Sequence, residues 1–426
     1  MGRLIAWSRS HVALLVLLAL TIVSYAAAIN RAQTLPWAMG ALLAATLVTG
    51  VAWPRWLVRS LTVVRSGPER AEEGETIVFR VAVDNRGWLP RFMVELVDRL
   101  PFVGAARGAQ DSADQVLGVI SYVPGAGRRA FEMSLLCEKR GFYRLGPVGL
   151  VSSFPLGLVE ARQRRNEGVQ TLTIYPDVFD IVALPLRGAP SQIHRGGYQL
   201  PEGSGTAEFC GLREYRRGDQ PRHIHWATTA RLNELMVKEF EPLASACLHI
   251  VLDLSADSNV GKGRLATLEY ALRIAGSIAR YATLHGLRVR VTGEGRRPVR
   301  IPAGTGEPQN RAILDELAIV DADGDTPYAQ VLTALSGDCL PGETLVLLLS
   351  SPARHAEAIL QAAALLRARR ANLHAVIFDR LSFDAEAESA THDAGRAALL
   401  HAGLLDLGAY CVPVRRQDDL VRVFNP

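Results

Sequence analysis

Two uncharged apolar stretches near the amino terminus constrain this chain most. His11–Ile29 and Thr34–Trp53 contain no Asp, Glu, Lys or Arg, and each is about as long as a helix that crosses a hydrocarbon core of ~30 Å. Trp37 and Trp53 stand near the two ends of the second stretch, as aromatic side chains do at a membrane–water interface. The sequence therefore predicts a transmembrane helical hairpin within residues 1–60.

Positive charges around these stretches predict their orientation. Arginines flank the pair on both sides, and one lies between the stretches: Arg3 and Arg9 before, Arg31 between, and Arg55, Arg59 and Arg65 after. The positive-inside tendency places both flanks in the cytoplasm. We therefore expect a multi-pass protein of the plasma (inner) membrane with the bulk of the chain cytoplasmic. The alternative is a cleaved signal peptide, because Ala26–Ala28 resembles a small-residue cleavage site.

Residues 61–185 alternate short apolar runs with Gly, Pro and Asn turn signals. The run Thr76–Val83 (TIVFRVAV) places every second side chain, from Ile77 to Val81, on one face of a strand. Period-2 alternation between turn residues is typical of antiparallel strands. This part of the chain is predicted to be an antiparallel β-sandwich.

Residues 246–426 show a different pattern. Leu248–Leu254, Thr344–Ser350 and Asn372–Phe378 are apolar runs typical of buried parallel strands, and helical stretches are predicted at 263–285 and 353–370. Strands that alternate with helices predict a doubly wound α/β domain. The predicted fold class is therefore α+β multidomain, with a transmembrane hairpin at 1–60, a β-sandwich at 61–185, a distinctive segment at 186–245 and the α/β domain at 246–426.

Composition excludes several classes of protein. The net charge of +4 comes with no clustered basic face evident in the sequence, so nucleic acid is not an expected partner. The five cysteines are scattered without a CxxC pair, which argues against a disulfide framework and a zinc knuckle. A reducing compartment is the simpler expectation.

The segment Gly205–Glu241 (GTAEFCGLREYRRGDQPRHIHWATTARLNELMVKEFE) carries the candidate functional residues. They mix both charges with aromatic side chains: Arg213, Glu214, Tyr215, Arg217, Asp219, Arg222, His225, Trp226, Arg231, Lys238 and Glu239. Guanidinium groups form bidentate contacts with carboxylates, so a structural ion-pair network is the favoured interpretation. A metal-binding pair of His223 and His225, and a nucleophilic set of Cys210, His225 and Asp219, are the alternatives.

This segment resembles the signature of the domain-of-unknown-function 58 family through Gly211–Tyr215, Gly218-Asp219, Ile224–Trp226 and Met236–Glu241. SFPLGL at 153–158 is similar to a DPFGL-like segment of that family, with Phe154 where Asp is expected and Leu156 where Phe is expected. The resemblance implies a C-terminal domain similar to the von Willebrand factor type A fold. It also implies association with a MoxR-type AAA+ ATPase and, in some members, with a transglutaminase-like membrane protein.

The type A resemblance implies one candidate metal site. Asp253, Ser255 and Asp257 follow the first predicted strand of the α/β domain, and ligands bind at the carboxyl ends of such strands. Asp253 and Ser255 match an Asp-x-Ser-x-Ser motif that holds Mg²⁺ through oxygen ligands, whereas Asp257 replaces the last Ser. The alternative is a helix-capping loop. Asn259–Arg264 lacks the GxxxxGK[ST] pattern of a phosphate-binding loop.

These observations favour a membrane-anchored, non-enzymatic scaffold or adaptor that works with a MoxR-type ATPase on a membrane or protein client. Its expected surroundings are the lipid bilayer, the ATPase and a transglutaminase-like membrane protein, and no cofactor is expected beyond the Mg²⁺ considered above. One alternative is a metal-dependent or hydrolytic enzyme that uses Asp219, His223 and His225, or the Asp253 loop. An external protein that binds the cell wall is a third hypothesis and requires the opposite topology.

Overall fold

The computed structural model describes residues 12–31, 34–103, 115–164, 169–184, 208–214, 224–232, 234–241, 247–350, 355–383 and 390–425. The chain forms two compact units, Met1–Asp177 and Val178–Pro426. The finer division into four segments stays a prediction.

The first unit begins with two long apolar helices, α1 (Val12–Arg31) and α2 (Thr34–Val58). By length and composition both could cross a membrane. They pack as a hairpin: the Ser24 hydroxyl donates to the carbonyl of Pro36 at 3.0 Å, and the Tyr25 ring lies edge-on to Trp37. Gly40 lies beside the Tyr25 ring, where an added Cβ would approach it to 3.3 Å.

Helix α2 extends past its predicted end at Trp53 and joins the β-strands almost directly. Leu57 and Val58 are buried, and Val58 belongs to the same apolar core as Leu61 in the first strand. Burial of these side chains explains why the helix continues beyond the uncharged stretch, since packing against the strands stabilises its last turn.

The described residues after α2 in this unit form ten strands: β1 (Leu61–Ser66), β2 (Arg70–Glu72), β3 (Thr76–Asn85), β4 (Arg91–Asp98), β5 (Gln115–Val123), β6 (Arg128–Leu136), β7 (Gly141–Leu145), β8 (Gly149–Ser152), β9 (Ala161–Arg164) and β10 (Gln170–Tyr175). They form sheets with the orders β1-β3-β6, β5-β4-β8-β9 and β2-β10-β7. Residues of the first two sheets share one apolar core. Pairing is antiparallel except between β2 and β10, a parallel pair that the local alternation does not predict.

The predicted alternation in β3 is confirmed at most positions. Ile77, Phe79 and Val81 are buried, whereas Val78 and Arg80 point to solvent. Ala82, on the same face as Val78 and Arg80, is buried as well.

The second unit begins with a small hairpin and continues into a six-stranded sheet. The hairpin contains β11 (Glu208–Glu214), α3 (Trp226–Leu232) and β12 (Met236–Glu241). The sheet contains β13 (Cys247–Leu252), β14 (Arg288–Gly293), β15 (Val299–Gly304), β16 (Thr344–Leu349), β17 (Asn372–Phe378) and β18 (Tyr410–Val414). The helices are α4 (Thr267–Leu284), α5 (Gly306–Ile319), α6 (Tyr328–Asp338), α7 (Ala356–Ala368), α8 (Arg380–Phe383), α9 (Ala390–Asp406) and α10 (Leu420–Phe424).

The strand order of this sheet is β15-β14-β13-β16-β17-β18. All neighbours run parallel except β14 and β15. Among these six strands β13 comes first in the chain, and it lies in the middle of the sheet. The strand order reverses beside it, which is the doubly wound arrangement. Apolar cores lie on both faces, because residues of β13, β16 and β17 contribute to two separate clusters.

Candidate functional site

The reversal of strand order places the loop after β13 at the carboxyl edge of the sheet, where doubly wound proteins bind ligands. Asp253 and Ser255 are both buried there, and an Asp253 Oδ1 accepts the Ser255 N–H at 3.3 Å. Asp257 lies in a short 3₁₀ turn, Ala256–Ser258, and is exposed. The three predicted residues are therefore close in the chain but differ in environment.

Backbone hydrogen bonds hold this loop against Gly324. The N–H of Ala256 donates to the carbonyl of Gly324, and the N–H of Gly324 donates to the carbonyl of Leu254, each at 2.9 Å. A Cβ at Gly324 would lie 2.5 Å from the carbonyl oxygen of Glu294. Glycine therefore permits the close approach that closes the loop.

Tyr328 lies beneath the same loop. Its side chain is buried, and its hydroxyl donates to the carbonyl of Val251 at 2.8 Å. Burial, together with the negative charge of Asp253, raises the pKa of the Tyr328 hydroxyl well above 10. The hydroxyl therefore stays protonated and serves as a hydrogen-bond donor to the end of β13.

Arg380 connects the ends of two neighbouring strands at this edge. Its Nη1 donates to the carbonyl of Ser258, beyond β13, at 2.8 Å and to the carbonyl of Ser350, beyond β16, at 2.5 Å. Both serines are buried. A guanidinium stays protonated at any physiological pH, so a fixed positive charge joins the two loops.

The Mg²⁺ site predicted at Asp253, Ser255 and Asp257 stays a prediction. Among the residues that the structure describes, no group of three or more His, Cys, Asp and Glu side chains could hold a metal ion. Mg²⁺ requires near-octahedral oxygen ligands, and the Arg380 cation opposes a second positive charge nearby. The arrangement fits a loop closed by hydrogen bonds and by arginine.

In the signature segment, Gly205–Glu241, the described residues form two paired strands and a short helix. Strands β11 and β12 pair antiparallel, with Glu214 opposite Met236 and Arg213 opposite Val237. Leu212 faces Lys238 and Gly211 faces Glu239 in the same register. The side chains of Arg213, Lys238 and Glu239 lie outside the described part, as do Tyr215, Arg217, Asp219, Arg222 and His223. The ion-pair network among these residues stays a prediction, as do the alternatives that involve Asp219, His223 and Cys210.

His225 has a structural role at the start of α3. Its Nδ1 accepts the N–H of Thr228 at 3.3 Å and lies 2.8 Å from the Thr228 hydroxyl. Its carbonyl accepts the N–H groups of Thr228 and Thr229. These contacts satisfy backbone groups at the first helical turn, so His225 caps the helix.

Large apolar side chains are exposed on α3 and just after it. Trp226 is 66% exposed and Leu232 is 54% exposed, and Leu235 and Arg231 are also exposed. No side chain of α3 is buried. We call Trp226, Arg231, Leu232 and Leu235 the signature face.

A polar cluster that the sequence did not predict lies at the amino edge of the sheet. Buried His249 accepts a hydrogen bond from Arg290 Nη2 at its Nδ1 (2.9 Å), and its Nε2 lies 2.7 Å from the Thr292 hydroxyl. Burial, with the charge of Arg290, lowers the pKa of His249 to about 3. Glu343 pairs with Arg290 at 3.4 Å. It also lies 3.8 Å from the His249 ring, but the neutral ring makes no ion pair.

Two cysteines border this cluster. Cys247 and Cys339 both hydrogen-bond to the Glu343 carboxylate, and burial followed by the charge of Glu343 raises the pKa of each thiol to about 11. Thiols are nucleophilic only as thiolates. Both thiols therefore stay protonated at neutral pH.

A cavity of about 520 Å³ lies beside β17 and β18. Its lining is mostly apolar: Val182, Ala183, Leu184, His374, Tyr410, Val412, Val423, Phe424 and Asn425. His374 is 2% exposed, and neither ring nitrogen has a hydrogen-bond partner among the described residues. Burial lowers its pKa to about 4. The signal in the sequence is a histidine within the apolar run NLHAVIF.

The fold and these contacts define a protein with two apolar helices, a β domain and a doubly wound α/β unit that begins with a two-stranded hairpin. Residues 211–406, from Gly211 in β11 to Asp406 at the end of α9, match the family described as "Protein of unknown function DUF58". The predicted family is confirmed, and this region of the chain belongs to DUF58.

The chain is also similar to the uncharacterized protein YeaD of Bacillus subtilis (strain 168), with 28% identity over 120 residues. That match spans 28% of this chain and 28% of YeaD. Among solved structures, the CARDB domain of PF1109 from Pyrococcus furiosus aligns with a TM-score of 0.19 and 13% identity, covering 27% of this chain and 86% of that domain. Red sea bream transglutaminase aligns with a TM-score of 0.18 and 13% identity, covering 27% of this chain and 15% of that enzyme.

Proposed function

We propose that this protein is a membrane-anchored, non-enzymatic scaffold or adaptor. The observation that carries the proposal is the exposure of the large apolar side chains Trp226 and Leu232 in the signature face. Aromatic and Arg side chains are enriched in the energetically important parts of protein interfaces. A seven-residue helix with no buried side chain contributes nothing to an apolar core, which favours a role in contacting another molecule.

Helices α1 and α2 are the proposed anchor. Both have the length and hydropathy of membrane spans, and the flanking arginines favour a cytoplasmic location for both ends of the hairpin. The proposal therefore places a multi-pass protein in the inner membrane, with its β domain and α/β unit in the cytoplasm.

The proposed partner is a MoxR-type AAA+ ATPase, and a transglutaminase-like membrane protein is a further candidate. Both come from the family resemblance. The doubly wound strand order supports the comparison of the α/β unit with type A domains, many of which bind proteins. In this role the adaptor holds the ATPase at the membrane, near the client on which it acts.

Crosslinking mass spectrometry on the endogenous protein in native membranes tests this proposal. Trp226→Ala and Leu232→Ala should each reduce recovery of a crosslinked AAA+ ATPase at least about tenfold, because interface hot spots contribute ~2 kcal/mol or more. The matched control is Leu284→Ala, which removes a 70% exposed leucine at the end of α4 and should leave recovery unchanged.

One outcome would contradict the adaptor hypothesis, and a second would contradict its proposed contact surface. One is a correctly inserted, folded wild-type chain from which no protein partner is recovered. The other is equal recovery from all three variants, which would exclude the signature face as the contact surface.

The second candidate is the enzyme hypothesis, and the burial of Asp253 at the carboxyl edge of the sheet is the observation in its favour. Asp253→Asn tests it, because this change removes the negative charge while it keeps the shape of the side chain. Loss of cellular function with unchanged partner recovery and stability would favour the enzyme. The Arg380 contacts favour a structural loop instead.

A further inference from the structure

We propose that the turn between β8 and β9 enters the membrane beside α2 and holds the β domain on the bilayer surface. This turn, Ser153–Glu160, contains the SFPLGL sequence. The inference rests on the proposed membrane anchoring by α2, and it assigns the turn one partner, the lipid bilayer.

The turn packs directly against the helix α2. A Cβ at Gly50 would lie 2.5 Å from Leu158 Cδ1 and 3.3 Å from Leu156 Cδ1. Gly50 is buried in α2, and its missing side chain gives the turn room to pack against the helix backbone. The turn therefore lies beside the helix at the level of Gly50.

The position of Gly50 along α2 determines the depth of this contact in the bilayer. A hydrocarbon core of ~30 Å is crossed by about 20 helical residues at ~1.5 Å each, which places the end of a span that begins at Thr34 near Trp53. Gly50 precedes Trp53 by three residues, or about 4.5 Å along the axis. Leu156 and Leu158 therefore lie within the hydrocarbon core, close to its boundary at the Trp53 end of α2.

The turn exposes apolar side chains and satisfies backbone groups internally. Leu158 is buried against α2, whereas Leu156 is 46% exposed and Phe154 is exposed beside it. The N–H of Gly157 donates to the carbonyl of Ser153 at 2.8 Å, and the N–H of Phe154 donates to the Ser152 hydroxyl at 3.4 Å. Exposed apolar side chains on a turn with internally bonded backbone groups suit a lipid environment better than water.

Aromatic side chains near the end of α2 indicate the level of the membrane–water interface. The Arg91 guanidinium, at the start of β4, lies 3.7 Å above the Trp56 ring, and Trp53 packs against Trp56 at 5.3 Å. Tryptophan favours the headgroup region, and Trp53 is exposed. The interface therefore lies about one helical turn beyond Gly50, as the depth argument requires.

Site-specific photo-crosslinking tests the inference on the full chain in its native membrane. A diazirine analogue of leucine replaces Leu156, and adducts are identified by mass spectrometry. The matched control replaces Val78, which is 49% exposed but lies seven residues along β3 from Asn85, the residue paired with Leu61 beyond α2. At ~3.3 Å per residue this is about 23 Å farther from the helix end. The positive control replaces the exposed Leu42 within α2.

We expect lipid adducts at positions 156 and 42 to be at least about tenfold more abundant than lipid adducts at position 78. Protein adducts at position 156 would overturn the inference by identifying a protein as the occupant. Lipid adducts at position 42 alone would overturn the inference and leave the anchor intact. Absence of lipid adducts at all three positions would refute the anchor itself, and equal lipid labelling at all three would exclude a specific turn. Unchanged trypsin resistance of each variant establishes that its fold is retained.

Discussion

Two buried neutral histidines should make the α/β unit sensitive to acid. Burial lowers the pKa of His249 to about 3 and that of His374 to about 4, whereas a histidine in the unfolded chain titrates near ~6.5. Below about pH 6.5 the unfolded chain binds protons that the folded unit excludes. Stability is therefore fully present above that pH and is lost as the pH falls toward the folded pKa values.

The magnitude follows from the two pKa values. Between about pH 7.5 and about pH 5, each histidine removes about 2 kcal/mol from the free energy of unfolding, or about 4 kcal/mol together. This is a large part of the ~5–15 kcal/mol typical of a folded domain.

Variants separate this effect from the titration of carboxylates. His374→Phe removes one titrating ring and two nitrogens without hydrogen-bond partners, each of which costs ~1–3 kcal/mol when buried. This variant should be at least as stable as wild type at about pH 7.5, and its acid-dependent loss should be smaller by about 2 kcal/mol. His249→Phe should be less stable at neutral pH by ~1–3 kcal/mol, because the ring loses its contacts with Thr292 and Arg290.

The assay is urea unfolding of the full chain in detergent at both pH values. Unfolding is monitored by hydrogen exchange of peptides from β13 and β17. These peptides report the opening of the α/β unit rather than that of the rest of the chain. The reasoning is refuted if His374→Phe retains the full acid-dependent loss of the wild type. A loss of several kcal/mol at neutral pH would also show that the ring nitrogens have partners in solution.

Two further predictions concern the loop after β13. Arg380→Ala should lower the free energy of unfolding by ~1–3 kcal/mol in urea denaturation, because the buried carbonyls of Ser258 and Ser350 lose a donor; unchanged stability would contradict the bridging role. Gly324→Ala should cost ~1–3 kcal/mol in the same assay, since its Cβ would overlap a backbone carbonyl. Gly337→Ala in α6, where a Cβ meets nothing within 4 Å, is the control and should be neutral or stabilising by up to ~1 kcal/mol.

Much of the α/β sheet was predictable because its strands are continuous apolar runs. β17 has its predicted bounds, Asn372–Phe378, and β16 ends one residue early. Strands β11 and β12 were not predicted, because their charged residues hide the period-2 pattern. The parallel pairing of β2 with β10 joins residues about 100 positions apart, and local alternation carries no information about such pairs.

The candidate site was predictable only where chain order determines position. Asp253 could be placed because it follows the first buried strand, which lies at the point where a doubly wound sheet reverses. Arg380 was missed because its contacts with Ser258 and Ser350 depend on the order of three strands. A single arginine after a strand gives no sign in the sequence of the carbonyls that it will reach.

The short junction between α2 and β1 determines how the first unit is held. Only Arg59 and Ser60 separate the helix from the strand, and Val58 shares a core with Leu61. A flexible linker would let the β domain rotate about the helix, but a buried junction makes the two move together. The contact at Gly50 adds a second fixed point about 12 Å along the helix from Val58. Two such points, rather than one tether, fix the tilt of the β domain relative to α2, and a turn that rests in lipid would extend that constraint to the membrane plane.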